Sequence, residues 1–144
     1  GGEVLDGVPC LPLAMAATES WSPNVRLATA RLHPRGVVVV AVGDDAPLPF
    51  GDEAFDLVCS RHPATVQWAE IARVLRPGGE YFAQHVGPRT NEALYEYFLG
   101  PQRNGVQARD PGVDSEAARA VGLEVIRMQM ERLRVEFFDV GAVV

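Results

Sequence analysis

The sequence predicts an α/β domain built on a mainly parallel sheet, and three observations carry that reading. Short apolar runs suited to strands, such as residues 37–42 and 55–60, alternate with stretches of helical periodicity. Breakers stand between them, as in His33-Pro34-Arg35-Gly36 and Arg76-Pro77-Gly78-Gly79. The composition is that of a chain with a core: 144 residues, 47% hydrophobic and 22% charged. A chain of this size buries roughly 70% of its unfolded surface, so one domain over residues 1–144 is the expected organisation.

Taken in order, Glu3 to about Val8 reads as an opening helix. The alternative, a strand Val4-Leu5-Asp6 turning at Gly7, leaves too few residues before Glu19 for a crossover helix, and Pro9 and Pro12 lie among them. Residues 12–20 hold a short apolar strand ending in an acid. Pro23 to Leu32 suits a helix, with proline in its first turn and Val25, Leu27, Ala28 and Leu32 as an imperfect stripe. The β-branched run from Val37 to Val42 and the segment Phe55 to Ser60 suit strands buried on both faces, with Cys59 as a small buried residue. Residues 65–76 form a helix whose apolar face is Val66, Ala69, Ala72 or Arg73, and Leu75. Tyr81 to Val86 is a strand, and Asn91 to Leu99 a helix ending near Gly100. Residues 101–112 read as a loop, and Asp114 as the cap of a helix over 115–121. Leu123 to Met130 and Arg134 to Val144 are expected to close the sheet as an antiparallel pair.

With 13 Lys+Arg against 19 Asp+Glu, the net charge of −6 argues against nucleic-acid binding driven by clustered basic residues. No apolar run reaches the roughly 18 residues of a membrane span. No signal peptide is visible at Gly1-Gly2-Glu3. Cys10 and Cys59 make neither a disulfide framework nor a zinc site, so no metal is expected, and a cytoplasmic setting is the default.

Parallel α/β sheets bind ligands at the carboxyl ends of their strands. Those ends carry Glu19, then Asp44 and Asp45, then Ser60, Arg61 and His62, then Gln84 and His85. Glu19 has the sharpest chemistry: a carboxylate there accepts two hydrogen bonds from a ribose diol. Gly1-Gly2 precede it by about the distance that separates a phosphate- or cofactor-approaching glycine turn from such an acid. The plainer alternative makes Glu19 a helix-flanking surface acid.

These residues resemble the class I S-adenosylmethionine-dependent methyltransferases, most closely the bacterial small-molecule type-11 group. Gly1-Gly2-Glu3 looks like the tail of the glycine-rich motif, and Ala17-Thr18-Glu19 like the second strand with its ribose acid. The specific pieces are Gly43-Asp44-Asp45-Ala46-Pro47-Leu48-Pro49-Phe50 with Phe55-Asp56-Leu57-Val58, and Glu70-Ile71-Ala72-Arg73-Val74-Leu75-Arg76-Pro77-Gly78-Gly79.

The resemblance implies a Rossmann-like doubly wound fold, S-adenosyl-L-methionine as cofactor and a small-molecule methyl acceptor. It places Gly1, Gly2, Glu19, Ser20, Trp21, Asp44, Asp45, Ala46 and Ser60 around the cofactor. Asp44 would accept from the adenine amino group, the Asp45 or Ala46 backbone would meet the ring, and Trp21 would stack on it or pack as a staple. His62 would take a proton from the acceptor, or serve as a structural histidine. Trp68, Tyr95 and Tyr97 read as packing.

The family's first central strand has no counterpart, and both ends look cut. Its absence would leave a gap of roughly 10 Å between the strand ending at Glu19 and Phe55–Ser60. Otherwise a second copy fills the gap as a homodimer, or the two segments pair directly. The rival functions are a catalytically silent methyltransferase-like binding domain and a nicotinamide-dependent oxidoreductase.

Overall fold

The computed structural model describes residues 1–101, 110–139 and 141. It forms two compact units, Gly1–Gln84 and His85–Val144.

The first unit carries the alternation read from the sequence. A short helix α1, Glu3–Asp6, is followed by strand β1, Ala16–Glu19, and helix α2, Ser22–Leu32. Gly2 starts α1 with φ +86° and Gly36 ends the turn after α2 with φ +81°, left-handed conformations that glycine adopts at little cost. Arg35 donates to the Leu5 carbonyl at 3.0 Å and to that of Val8 at 2.5 Å, while Arg31 donates to the Gly1 carbonyl at 2.7 Å. Two arginines of one helical segment thus hold a helix too short to stand alone. Strand β2, Val38–Ala41, pairs in parallel with β1. Ala28 and Leu32 of α2 and Val37 are buried together, with Leu5, Leu11, Met15, Ala17 and Val39 packed against them.

Strand β3, Phe55–Arg61, helix α3, Trp68–Val74, and strand β4, Leu75–Gln84, form a second parallel unit of β-α-β type. The buried face of α3 is Ile71 and Val74, continued by Leu75; Ala69 is exposed and Val66 half-buried, so the stripe expected from the sequence was rotated. Trp68 packs edge-on against Tyr81 at 5.6 Å between ring centroids. The register jumps from Phe55↔Leu75 to Leu57↔Glu80, so Arg76-Pro77-Gly78-Gly79 bulges out of the ladder as the turn that those residues predict. A Cβ on Gly79 would lie 2.9 Å from the Arg76 carbonyl oxygen.

Every ladder among the described residues is parallel, but there are two of two strands each, β1-β2 and β3-β4. The direct pairing of residues 14–19 with 55–60 is not found among them. Strands expected to be buried on both faces are half-open instead: Val38 and Leu57 are about half exposed and Cys59 is exposed. A two-stranded ladder offers helices too little surface to cover both sides.

The second unit holds helices α4, Glu92–Leu99, and α5, Pro111–Ala120. Asn91 at φ +57° precedes α4 and Gly100 closes it. Tyr95 and Tyr97 are exposed, Tyr97 with its ring edge-on to Phe98 at 4.9 Å. The cap of α5 is Asp110, whose Oδ1 accepts the Gly112 N–H at 2.7 Å; Asp114 lies inside the helix. Among the described residues the expected antiparallel pair is absent: residues 123–137 carry no strand. Their alternating apolar side chains, Ile126, Met128, Met130, Leu133 and Val135, are exposed. The intervening Glu131-Arg132 offers none of the Gly, Asn or Pro that closes a tight hairpin, and an isolated hairpin is marginal in water. Residues 102–109, most of the expected 101–112 loop, together with 140 and 142–144, lie outside the described residues.

Candidate functional site

Parallel pairing brings the carboxyl ends of β1 and β2 to one edge. Glu19 stands opposite Ala41, and the Val42 N–H extends the ladder to the Glu19 carbonyl at 3.0 Å. The chain then turns at once, with the Ala46 N–H donating to the Gly43 carbonyl at 3.0 Å. Asp44 and Asp45 stand exposed on that turn and Ala46 is half-buried. Sequence reasoning placed Glu19 and Asp44 at one edge, and the register brings them there.

Glu19 also does local work. Its Oε1 accepts the backbone N–H groups of Ser20 at 3.0 Å and Trp21 at 3.2 Å, tying the strand end to the entry of α2. Glu19 is thus a helix-flanking acid through Oε1, and its Oε2 takes no bond among the described residues. Trp21 is 62% exposed, so it is not a core residue, and much of its ring stands open beside Glu19.

Gly1 and Gly2 lie against α2. A Cβ on Gly1 would sit 2.6 Å from the Asn24 carbonyl oxygen, and one on Gly2 would sit 3.3 Å from the Ala28 Cα and from Leu32. Their smallness serves close helix contact here, one of the uses glycine has in nucleotide-binding turns.

At the carboxyl end of the other ladder, Ser60 is half-buried opposite Ala83, and Arg61 is exposed opposite Gln84. His62 follows with φ +50°, exposed, its N–H donating to the Gln84 carbonyl at 2.8 Å. A non-glycine residue held in the left-handed region stores backbone strain, a feature concentrated at functional sites.

A cleft of about 510 Å³ opens at the other end of the strands, lined by Met15, Ala16, Val38, Phe55 and Asp56 among others. These lie at or beside the first residues of β1, β2 and β3, so the cleft is a space between the two ladders at their amino ends. It is not the carboxyl-end site.

Residues 5–83, more than half of the chain, match the family model described as the methyltransferase domain. The chain belongs to the methyltransferase domain family. It is also 29% identical over 124 residues to a probable phthiotriol/phenolphthiotriol dimycocerosates methyltransferase 2 of Mycobacterium ulcerans (strain Agy99), a match covering 81% of this chain and 43% of the relative. The chain thus spans less than half the length of that relative.

In this methyltransferase domain the turn after β2 and the loop beyond it are held by α3 and its N-cap residue Gln67. Gln67 donates from Nε2 to the carbonyls of Asp44 at 2.5 Å and Ala46 at 3.1 Å. Glu70 accepts the Leu48 N–H at 2.7 Å. Arg73 donates to the carbonyls of Leu48 at 3.0 Å and Phe50 at 2.8 Å, and to the Asp52 carboxylate at 2.8 Å. The Arg73 guanidinium and the Leu48 N–H hold the Glu70 carboxyl down to about 2, and Glu70 with Asp52 raises the Arg73 guanidinium further above its usual range. Sequence reading missed these three roles. The available signal was polar residues at i, i+3 and i+6, masked by treating Arg73 as an alternative member of the apolar face.

Within the second unit, His85 Nδ1 lies 2.8 Å from Asp114 Oδ2, both about a quarter exposed. The aspartate read as a helix cap is instead a histidine partner. Among the described residues no group of three His, Cys, Asp or Glu side chains is placed to hold a metal ion, and no helix is long and apolar enough to cross a membrane.

Proposed function

We propose that the chain binds S-adenosyl-L-methionine at the carboxyl ends of its parallel strands and takes part in methyl transfer to a small-molecule acceptor. The observation that carries this reading is the pairing of Glu19 with the end of β2, directly before the Asp44-Asp45 turn, in a chain of the methyltransferase domain family.

The donor set fits the cofactor. Glu19 offers Oε2 to a diol, Asp44 an acceptor to an exocyclic amine, and Trp21 an exposed ring to stack. Asp45, Ala46, Ser20 and Ser60 complete the lining as proposed neighbours. Gly1 and Gly2 set how closely α1 approaches α2. When bound, the cofactor supplies a methyl group already activated by its sulfonium. What remains for the protein is to hold the acceptor in line and keep it there, a positioning effect. His62 is the proposed proton acceptor for a hydroxyl or amine acceptor, presented at the end of β3. The Mycobacterium ulcerans relative is a probable phthiotriol/phenolphthiotriol dimycocerosates methyltransferase, and an acceptor of comparable chemistry is within this proposal.

Family membership favours this reading over a nicotinamide-dependent reaction, which explains Glu19 but not the Asp44 turn. Titration with S-adenosylhomocysteine and with NAD tests it: saturable binding of the first and not the second is expected. Binding without transfer to any offered acceptor would favour the catalytically silent alternative.

A further inference from the structure

We propose that Gln67, backed by Glu70 and Arg73, is a positioning residue that sets how well the Asp44–Ala46 turn discriminates the base of the cofactor. This rests on the cofactor reading above.

Gln67 is the residue that precedes α3 as its N-cap, and Glu70 and Arg73 lie three and six residues on, within the helix. They bind the loop only through its main chain and Asp52, and leave the side chains of Asp44 and Asp45 exposed. The division of labour is sharp. Arg73 and Glu70 hold the distal part, Leu48 to Asp52, where Phe50 also packs on Phe55 at 4.9 Å. Of the three side chains only Gln67 reaches the proximal part, at the two carbonyls that flank Asp45, in a turn that the Ala46 N–H also closes on the Gly43 carbonyl.

Fixing the carbonyls of Asp44 and Ala46 toward the helix fixes the orientation of the Asp44–Asp45 and Ala46–Pro47 peptide units. The Asp45 N–H belongs to the first of these units. A peptide plane is rigid, so a carbonyl aimed at Gln67 aims that N–H the opposite way. An acceptor on Asp44 and a donor from the adjoining main chain, both held in register, match the amino group and ring nitrogen of an adenine edge. They mismatch an edge that carries a carbonyl and a ring N–H. Loss of Gln67 frees these peptide units to rotate, so the two edges become harder to tell apart.

The test is calorimetric titration of the chain and its Gln67 variants with S-adenosylhomocysteine and with S-inosylhomocysteine, which replaces the amino group by a carbonyl. Gln67→Ala should weaken the adenosine ligand roughly 10-fold, the effect of one or two lost hydrogen bonds, and lower its preference over the inosine ligand. Gln67→Lys keeps a donor and should recover most of that preference. The thermal midpoint of each variant separates positioning from simple loosening. A preference that is unchanged in Gln67→Ala, with the adenosine ligand still bound, overturns this proposal and leaves the cofactor reading standing. Failure of the unsubstituted chain to bind either ligand overturns both.

Discussion

The Glu70 carboxylate and the Arg73 guanidinium meet twice, Nε donating to Oε1 at 2.9 Å and Nη2 to Oε2 at 2.7 Å. The pair is not an isolated surface bridge. Each partner also binds main chain of residues 48–50, so the ion pair is the knot that ties a loop to a helix. A network with fixed geometry stabilises more than an exposed pair of the same charges.

That knot has a pH signature. Glu70 is held down to about 2 in the folded chain against an ordinary value of 4.5. Because its folded value is lowered, its contribution is fully present above about pH 4.5 and is lost as pH falls toward 2. Hydrogen exchange should show the Leu48 N–H losing protection in that window, and Glu70→Gln should flatten the change.

Gly2→Ala should destabilise the first unit by about 1–2 kcal/mol. The φ of +86° disfavours any L side chain, and the added Cβ would press on the Ala28 Cα and Leu32 at 3.3 Å. Urea unfolding checks this. A midpoint equal to that of the unsubstituted chain would mean that α1 is not docked on α2 as described.

His62→Ala should lower turnover by roughly 10- to 1,000-fold while S-adenosylhomocysteine affinity stays within about twofold, if the imidazole accepts the acceptor proton. His62→Gly separates chemistry from strain. Glycine suits φ +50°, so it should match the unsubstituted chain in stability and still lack turnover. Equal loss of binding and turnover in both variants would return His62 to a structural role.

Much of the first unit was legible because its elements are punctuated by local chemistry. Pro23 opens α2, Gly36 ends the turn behind it, and the Arg76–Gly79 turn stands out of its ladder in the structure as in the sequence. Where reading failed, the deciding interaction was distant in sequence. Asp114 has the residue type of a cap, but its carboxylate is spent on His85, 29 positions away. Asp110, next to Pro111, does the capping. The alternation over residues 126–135 specifies two faces but no partner, and a strand exists only where a ladder is available. Cys59 followed the apolar run around it, yet in a two-stranded ladder one face of β3 stays open. Glu19 and Asp44 stand beside one another as the sequence places them, because strand ends are visible in sequence. The contacts of Gln67 were not legible, because it binds only main chain and its place in a polar i, i+3, i+6 series was masked by reading Arg73 into the apolar face.

In the proposed function Glu19 and the turn after β2 form one nucleoside-binding edge. This is tested most directly by isothermal titration of S-adenosylhomocysteine into the chain and into Glu19→Ala. Saturable binding to the first is expected, with a loss of about 1–3 kcal/mol in the second, the cost of leaving the ligand's hydroxyls unpartnered. Identical affinity in the two proteins would contradict it, and would leave Glu19 as the acid that ties β1 to the entry of α2.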